Sequence, residues 1–161
     1  MFESIETFAA AVEASALAKA LKFSPWAYGA ANTAHVIGVA MLFGAVLPMD
    51  LRLMGLWGRI DRTDVVRILF PIAALGLVIA LAAGAMLFSV RAENYAQVSL
   101  FLWKFALIGI GGALALIFHA RAGFYVERAS ARLAFFHGAA SLVCWTGALV
   151  CGRMIAYFPY L

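Results

Sequence analysis

Charge is sparse in this sequence. Aspartate, glutamate, lysine and arginine make up 12% of its 161 residues, against 66% hydrophobic residues and a mean hydropathy of +0.97. A soluble domain of this size leaves much of its area in water and has nowhere to put so much apolar surface. A soluble globule is therefore excluded, and a one-domain polytopic membrane protein is indicated. The net charge of +4 is no nucleic-acid footprint, because the basic residues flank apolar runs instead of forming one patch. Cysteine is equally scarce. Cys144 and Cys151 lie seven residues apart in the last apolar run, or ~10 Å along a helix, too far to bridge. They read as two buried small hydrophobes, the alternative being a soft-metal role for Cys151 with Met154 one turn away.

Catalytic sets are missing too. Every Asp and Glu is expected in a loop or in the leading helix, which leaves no intramembrane carboxylate pair to move protons. No glycine-rich phosphate loop follows a strand, and no Ser or Cys has a His and an acid at activating spacing. Gly109, Gly111 and Gly112 are read as packing glycines. Residues 1–23 do not read as a secretory signal, since Glu3, Glu6 and Glu13 stand where basic residues belong. Histidine occurs three times, as His35, His119 and His137. Two bis-histidine haems need four, so that arrangement is excluded unless methionine helps.

What is present is helical periodicity. Apolar Phe2, Ile5, Phe8, Ala9, Val12, Ala16 and Leu17 recur at helical spacing, predicting an amphipathic helix over residues 1–23. It lies either on the membrane surface or against a partner subunit. Ser24 and Pro25 form a helix-start pair, and Trp26 and Tyr28 mark a lipid–water boundary, here called side A. The first span leaves near Pro48 on side B, followed by a loop with Arg52, Arg59 and Arg62 among Asp50, Asp61 and Asp64. The second span covers residues 65–89, with Pro71 expected to kink it. Gly76, Ala80 and Gly84 form a stripe that admits a neighbouring helix. A loop over 91–97 leads to a third span over 98–119. A loop over 120–132 leads to a fourth span over 133–156, which exits through Tyr157, Phe158 and Tyr160.

The expected fold class is all-α: an integral membrane antiparallel four-helix bundle over 24–161, with an N-terminal interfacial amphipathic helix over 1–23. Side B collects Arg52, Arg59, Arg62, Arg67, Arg121, Arg128 and Arg132, whereas side A has Lys19, Lys22, Arg91, Lys104 and Arg153. The bias places side B in the cytoplasm and both termini in the periplasm.

Position converts to depth. His35 is ~12 Å below side A, and His119 and His137 are each ~28 Å below it, on helices joined by a short loop. His35 is therefore too far away to share a metal with them. Two imidazoles level on facing helices suit the axial positions of a b-type haem. Small residues on the ligand faces (Ser141, Cys144, Ala148 and Gly152 with His137, Gly112 and Ala115 with His119) make room for a flat guest. Arg121 and Arg132 are placed to pair propionates. The bland alternative is tight helix packing with structural histidines. A second candidate site sits near side A, where His35 shares its depth with Asn32, Thr33, Lys104, Thr146 and Arg153. That set suits an anionic headgroup, a haem propionate or a quinone oxygen, with Met86 or Met154 as a further ligand if iron sits there. The alternative is a histidine that merely bonds a neighbouring helix, with Arg153 reaching the interface.

Several motifs recur together: His35, Gly44 and the exit Asp50-Leu-Arg52-Leu-Met-Gly55, then Lys104 with His119, then Trp145 with Gly152-Arg153. In these the chain resembles a family of small bacterial four-span membrane proteins, and more distantly the copper-resistance D-type proteins and b-type cytochrome bundles. The resemblance implies a bacterial inner membrane and haem or copper chemistry. Segments rich in methionine and histidine, which a copper carrier needs, are missing. The expectation is a small b-type cytochrome, or a haem-binding subunit for electron transfer within a larger redox complex or with a quinone. Its ligands would be His119 and His137, with membrane lipids and a second copy as further partners. The alternative is a non-catalytic membrane subunit or small-ligand carrier.

Overall fold

The structure, a computed structural model, describes residues 2–96 and 98–157. Gln97, Phe158 and Tyr160, and the side chains of Phe2 and Ile5, lie outside the described residues. The chain forms α1 (Phe2–Glu13), α2 (Ala16–Phe23), α3 (Pro25–Leu53), α4 (Arg62–Ser89), α5 (Ala92–Ala96), α6 (Ser99–Ala122) and α7 (Ala131–Tyr157), with no strand among the described residues. Helix starts follow the capping residues. The Oγ of Ser24 accepts from the Ala27 amide at 3.3 Å, with Pro25 in the first position of α3. Asp61 Oδ1 accepts from the Thr63 amide at 2.7 Å to open α4. Ser130 Oγ accepts from the Leu133 amide at 3.2 Å in the first turn of α7.

The four long helices, of 29, 28, 24 and 27 residues, are each apolar and long enough to cross a membrane. At ~1.5 Å per residue even the shortest covers ~36 Å, more than a hydrocarbon core of ~30 Å. α3 packs on α4 and on α7, and α7 packs on α6. α4 reaches α6 through aromatic side chains, Phe70 on His119 at one end and Phe88 stacked on Phe101 at the other. Leu42, Val46, Val66, Phe118 and Trp145 form the core between them.

Glycine sets the closest approach. A Cβ on Gly38 would lie 2.5 Å from the Ala80 amide nitrogen and 2.9 Å from the Gly76 carbonyl, and one on Gly76 would lie 2.5 Å from the Leu42 nitrogen. The small-residue stripe of α4 therefore does let α3 come down to backbone contact. On α6 the expectation holds only for Gly111, which faces Cys144 and Trp145. Gly109 and Gly112 have nothing within 4 Å, because they lie on the outer side of the least enclosed helix.

Three boundaries differ from the sequence reading. The leading segment is two helices, broken where the Ser15 Oγ accepts from the Ala18 amide to start α2. It packs on its own chain: Leu21 joins Ala31 and Val90, and Glu13 Oε2 accepts from the Glu93 amide at 3.4 Å. The first long helix does not stop at Pro48 but runs to Leu53, carrying Asp50 and Arg52 inside it. Pro48, five residues before that end, forgoes the N–H bond to the Gly44 carbonyl and crowds it with its ring, and the helix continues regardless. α6 likewise continues past His119 to Ala122.

Candidate functional site

His119 lies in the last turn of α6, and the way that helix stops places its partner. Gly123 takes φ +92°, a conformation that L side chains rarely adopt, and the Arg128 amide folds back to donate to the Ala122 carbonyl at 2.8 Å. The turn carries the Phe124 carbonyl to His119, whose Nδ1–H donates to it at 2.8 Å. In the neutral ring that leaves the lone pair on Nε2. Phe70 of α4 packs on the same imidazole at a centroid distance of 4.5 Å.

His137, in the second turn of α7, stacks on Phe118 with ring centroids 3.9 Å apart and planes within 9°. Phe118 is 4% exposed and also meets His119 edge-on at 6.0 Å. Phe118 directly precedes His119 in α6, so its stacking on His137 sets the second turn of α7 beside the last turns of α6. Among the described residues, neither nitrogen of His137 has a hydrogen-bond partner.

A metal-bound histidine usually gives its other N–H to a carbonyl, which is what His119 does. Phe118 covers a face of His137 and not the nitrogen-bearing edge through which a histidine ligates. The rest of the expected pocket is only partly assembled. Cys144 lies on the α6 side of α7, against Gly111, but Ser141 is turned to α3. Arg121 is exposed at the end of α6. Arg132 sits over the Phe136 ring and lines a cavity whose walls include neither histidine. Among the described residues no group of three or more His, Cys, Asp or Glu could hold a metal ion, and Cys144 and Cys151 are free.

Of the side A set, Lys104 is the member whose charge reaches His35. His35 Nδ1–H donates to the Ala80 carbonyl of α4 at 2.8 Å, possible because Gly84 offers no Cβ where the ring lies. Lys104 is half-buried against Gly152, and its ammonium is the charge that bears on His35. Asn32, Thr33, Thr146 and Arg153 are exposed. Thr33 bonds back to Gly29 in its own helix, and Arg153 donates to the Tyr157 hydroxyl at 2.6 Å. Met86 is taken up by the Leu21 cluster. Polar side chains one turn apart on a helix need not share a face with groups on its neighbours, and here they do not.

The sequence reading missed Asp50. It belongs to α3, is 1% exposed, and neither carboxylate oxygen makes a hydrogen bond of ordinary geometry, although the Ser141 hydroxyl of α7 lies beside it. The expectation that every carboxylate sits in a loop or the leading helix is therefore wrong at this position. Gly138 of α7 packs directly on the Asp50 carbonyl, where a Cβ would come within 2.7 Å. The available signal was the position of Asp50 one turn from apolar Val46 and Leu53, on the face that continues Leu42 and Ala45.

No protein-family model matches the chain, and neither a curated protein nor a solved structure matches it.

Proposed function

We propose that this protein is a small haem-binding subunit of a bacterial inner membrane, in which His119 and His137 would hold the haem iron. One observation carries the reading: His137 stacks on the residue before His119, whose tautomer a backbone carbonyl sets for ligation, and among the described residues both nitrogens of His137 are unbonded. Bound haem supplies a one-electron carrier. The chain's own part is to orient the donors and to keep water from them with Phe70 and Phe118. Arg121, two residues beyond His119, is the cation left to face an acidic edge. Electron transfer to a quinone or to a larger redox complex follows from that role.

The bundle crosses the membrane with its helices antiparallel. Support comes from the contacts themselves, which pair rising numbers on one helix with falling ones on the next: Leu107 with Gly147 and Lys104 with Gly152, His35 with Gly84 and Leu42 with Gly76. The arginine-rich ends of α3, α4, α6 and α7 face the cytoplasm and both termini the periplasm. α1 and α2 lie at the outer interface, where exposed Phe8, Phe23 and Trp26 meet lipid.

The test is the reduced-minus-oxidised spectrum of purified protein. Sharp bands that vanish in His119→Ala and His137→Ala but persist in His35→Ala support the assignment. Bands that survive both changes and disappear with His35→Ala overturn it. A colourless protein favours a second reading, a structural subunit, for which the specific observation is that His35 already ties α3 to α4 through the Ala80 carbonyl.

A further inference from the structure

At the arginine-rich end of the bundle, a cavity of about 480 Å³ opens between the last turn of α3, the start of α4 and the start of α7. Its volume falls in the roughly 300–1,000 Å³ range of small-ligand sites. Three of its walls are guanidinium groups from three different helices: Arg52, Arg62 and Arg132. Two of these are held in place by main-chain carbonyls. Arg52 Nε–H donates to Ile60 at 2.6 Å, and Arg62 donates to Ala129 across 67 residues of sequence. A guanidinium has five N–H donors, so both keep most of theirs free. Arg132 rests on the Phe136 ring and, among the described residues, makes no hydrogen bond at all.

The charge is only partly neutralised from within, by the attraction between Asp61 and Arg52. Asp61 is the acid in the wall, yet it spends Oδ1 on the Thr63 amide and forms no ion pair with any of the three arginines among the described residues. Three guanidiniums, two of them anchored, against one carboxylate leave the space net positive and open to a further anion. The remaining wall is apolar, formed by Leu53, Met54 and Phe135, and Phe135 is 44% exposed on the outer surface of α7. A free phosphate has no use for that wall; a phosphate attached to a glycerol and acyl chains does.

We propose that this cavity binds the phosphate of an anionic phospholipid headgroup. Basic pockets between spanning helices on the cytoplasmic side take such headgroups, and forked guanidinium donors match phosphate oxygens. The proposal rests on the membrane placement given above but not on haem ligation.

The experiment measures lipid retained by the purified full-length chain in neutral detergent, using native mass spectrometry after equilibration with phosphatidylglycerol or phosphatidylethanolamine. Retention of phosphatidylglycerol over phosphatidylethanolamine is expected. It should fall about tenfold for each arginine removed in Arg132→Gln and Arg62→Gln, the equivalent of one charge-assisted hydrogen bond. Arg132 holds nothing else in place, so its variant folds even if loss of the Arg62 bond to Ala129 does not allow folding. Arg59→Gln and Arg128→Gln remove the same charge at exposed positions outside the cavity and should leave retention unchanged. Equal losses in both pairs would mean diffuse attraction and overturn the site. Inorganic phosphate displacing the lipid at equal concentration would overturn the headgroup assignment in favour of a soluble phosphate. Because the readout is lipid mass, it is independent of whether the protein is coloured.

Discussion

The carboxylate of Asp50 on α3 and the hydroxyl of Ser141 on α7 lie side by side in a helix interface, 1% and 4% exposed, with no hydrogen bond of ordinary geometry between them. Such a carboxylate is out of place by energetic reasoning, because a buried polar group left without a partner costs roughly 1–3 kcal/mol and a charged one more. Natural chains keep that kind of cost where something other than stability is being served. The neighbouring contact makes it harder to avoid, since Gly138 holds α7 on the Asp50 backbone and leaves the side chain little freedom to swing out to water.

From this follows a gain of stability on removing the charge. Asp50→Asn keeps the shape and should unfold at a higher temperature than the natural chain in the same detergent, followed by circular dichroism. Ser141→Ala should lower the unfolding temperature, because it takes away the hydroxyl that stands beside the buried carboxylate. If Asp50→Asn instead lowers the unfolding temperature, the carboxylate has a partner that earns its place, and the interface must be redrawn.

The second prediction concerns the backbone contact between α3 and α4. Gly38→Ala puts a methyl group 2.5 Å from a main-chain nitrogen that cannot rotate away, so the helices must separate. Overpacking of this sort costs roughly 1–3 kcal/mol. Gly29→Ala and Gly44→Ala serve as controls, since nothing lies within 4 Å of either position. There the better helix propensity of alanine should make the change neutral or slightly favourable. Equal losses at all three glycines would show that propensity or lipid exposure, and not the contact, is being measured.

The long helices and their caps could be read from the residues because they depend on local chemistry. Ser24 with Pro25 starts a helix wherever it occurs, and runs of apolar residues are long or they are not. The level of His119 with His137 was also legible, since helix rise is constant and the connection between them is short. Rotation about the helix axis was not. Whether Asn32 and Arg153 face inward depends on which neighbour each helix touches, and α6 and α7 present their small residues to different partners. The span end near Pro48 was misread for a related reason. A proline and a charged step look like an exit, but an Asp that packs against Gly138 and Ser141 stays inside.

A pH dependence is expected at the start of α4. The Thr63 amide, and then its hydroxyl, donate to Asp61 and hold its carboxyl below the ordinary value of 3.8. A carboxyl lowered in the folded state contributes stability that is complete above its unfolded value and is lost as pH falls through the folded one. Acidification below pH 3.8 should therefore weaken the helix start. Asp61→Asn keeps an acceptor for the Thr63 amide and should flatten the decline in unfolding temperature over that range. A parallel decline in both proteins would assign the acid sensitivity elsewhere.

The last prediction separates a histidine that holds helices together from one that only occupies space. His35 donates to the Ala80 carbonyl, and a Cβ on Gly84 would stand 3.1 Å from its Cε1. Gly84→Ala should therefore push the ring and strain the bond, while His35→Ala removes both the ring and the bond. Interhelical hydrogen bonds in membranes are worth about 0.6 kcal/mol on average and up to ~1.7 kcal/mol, so His35→Ala alone should cost an amount in that range plus lost packing. With the ring gone, the new methyl group meets nothing, and Gly84→Ala should be harmless or helpful in the His35→Ala background. The double-mutant cycle then shows a coupling well outside the few tenths of a kcal/mol expected for independent sites. Additive effects would mean that the imidazole is not seated between α3 and α4, leaving these helices tied by the Gly38–Gly76 contact and the apolar core around Leu42 and Ala73.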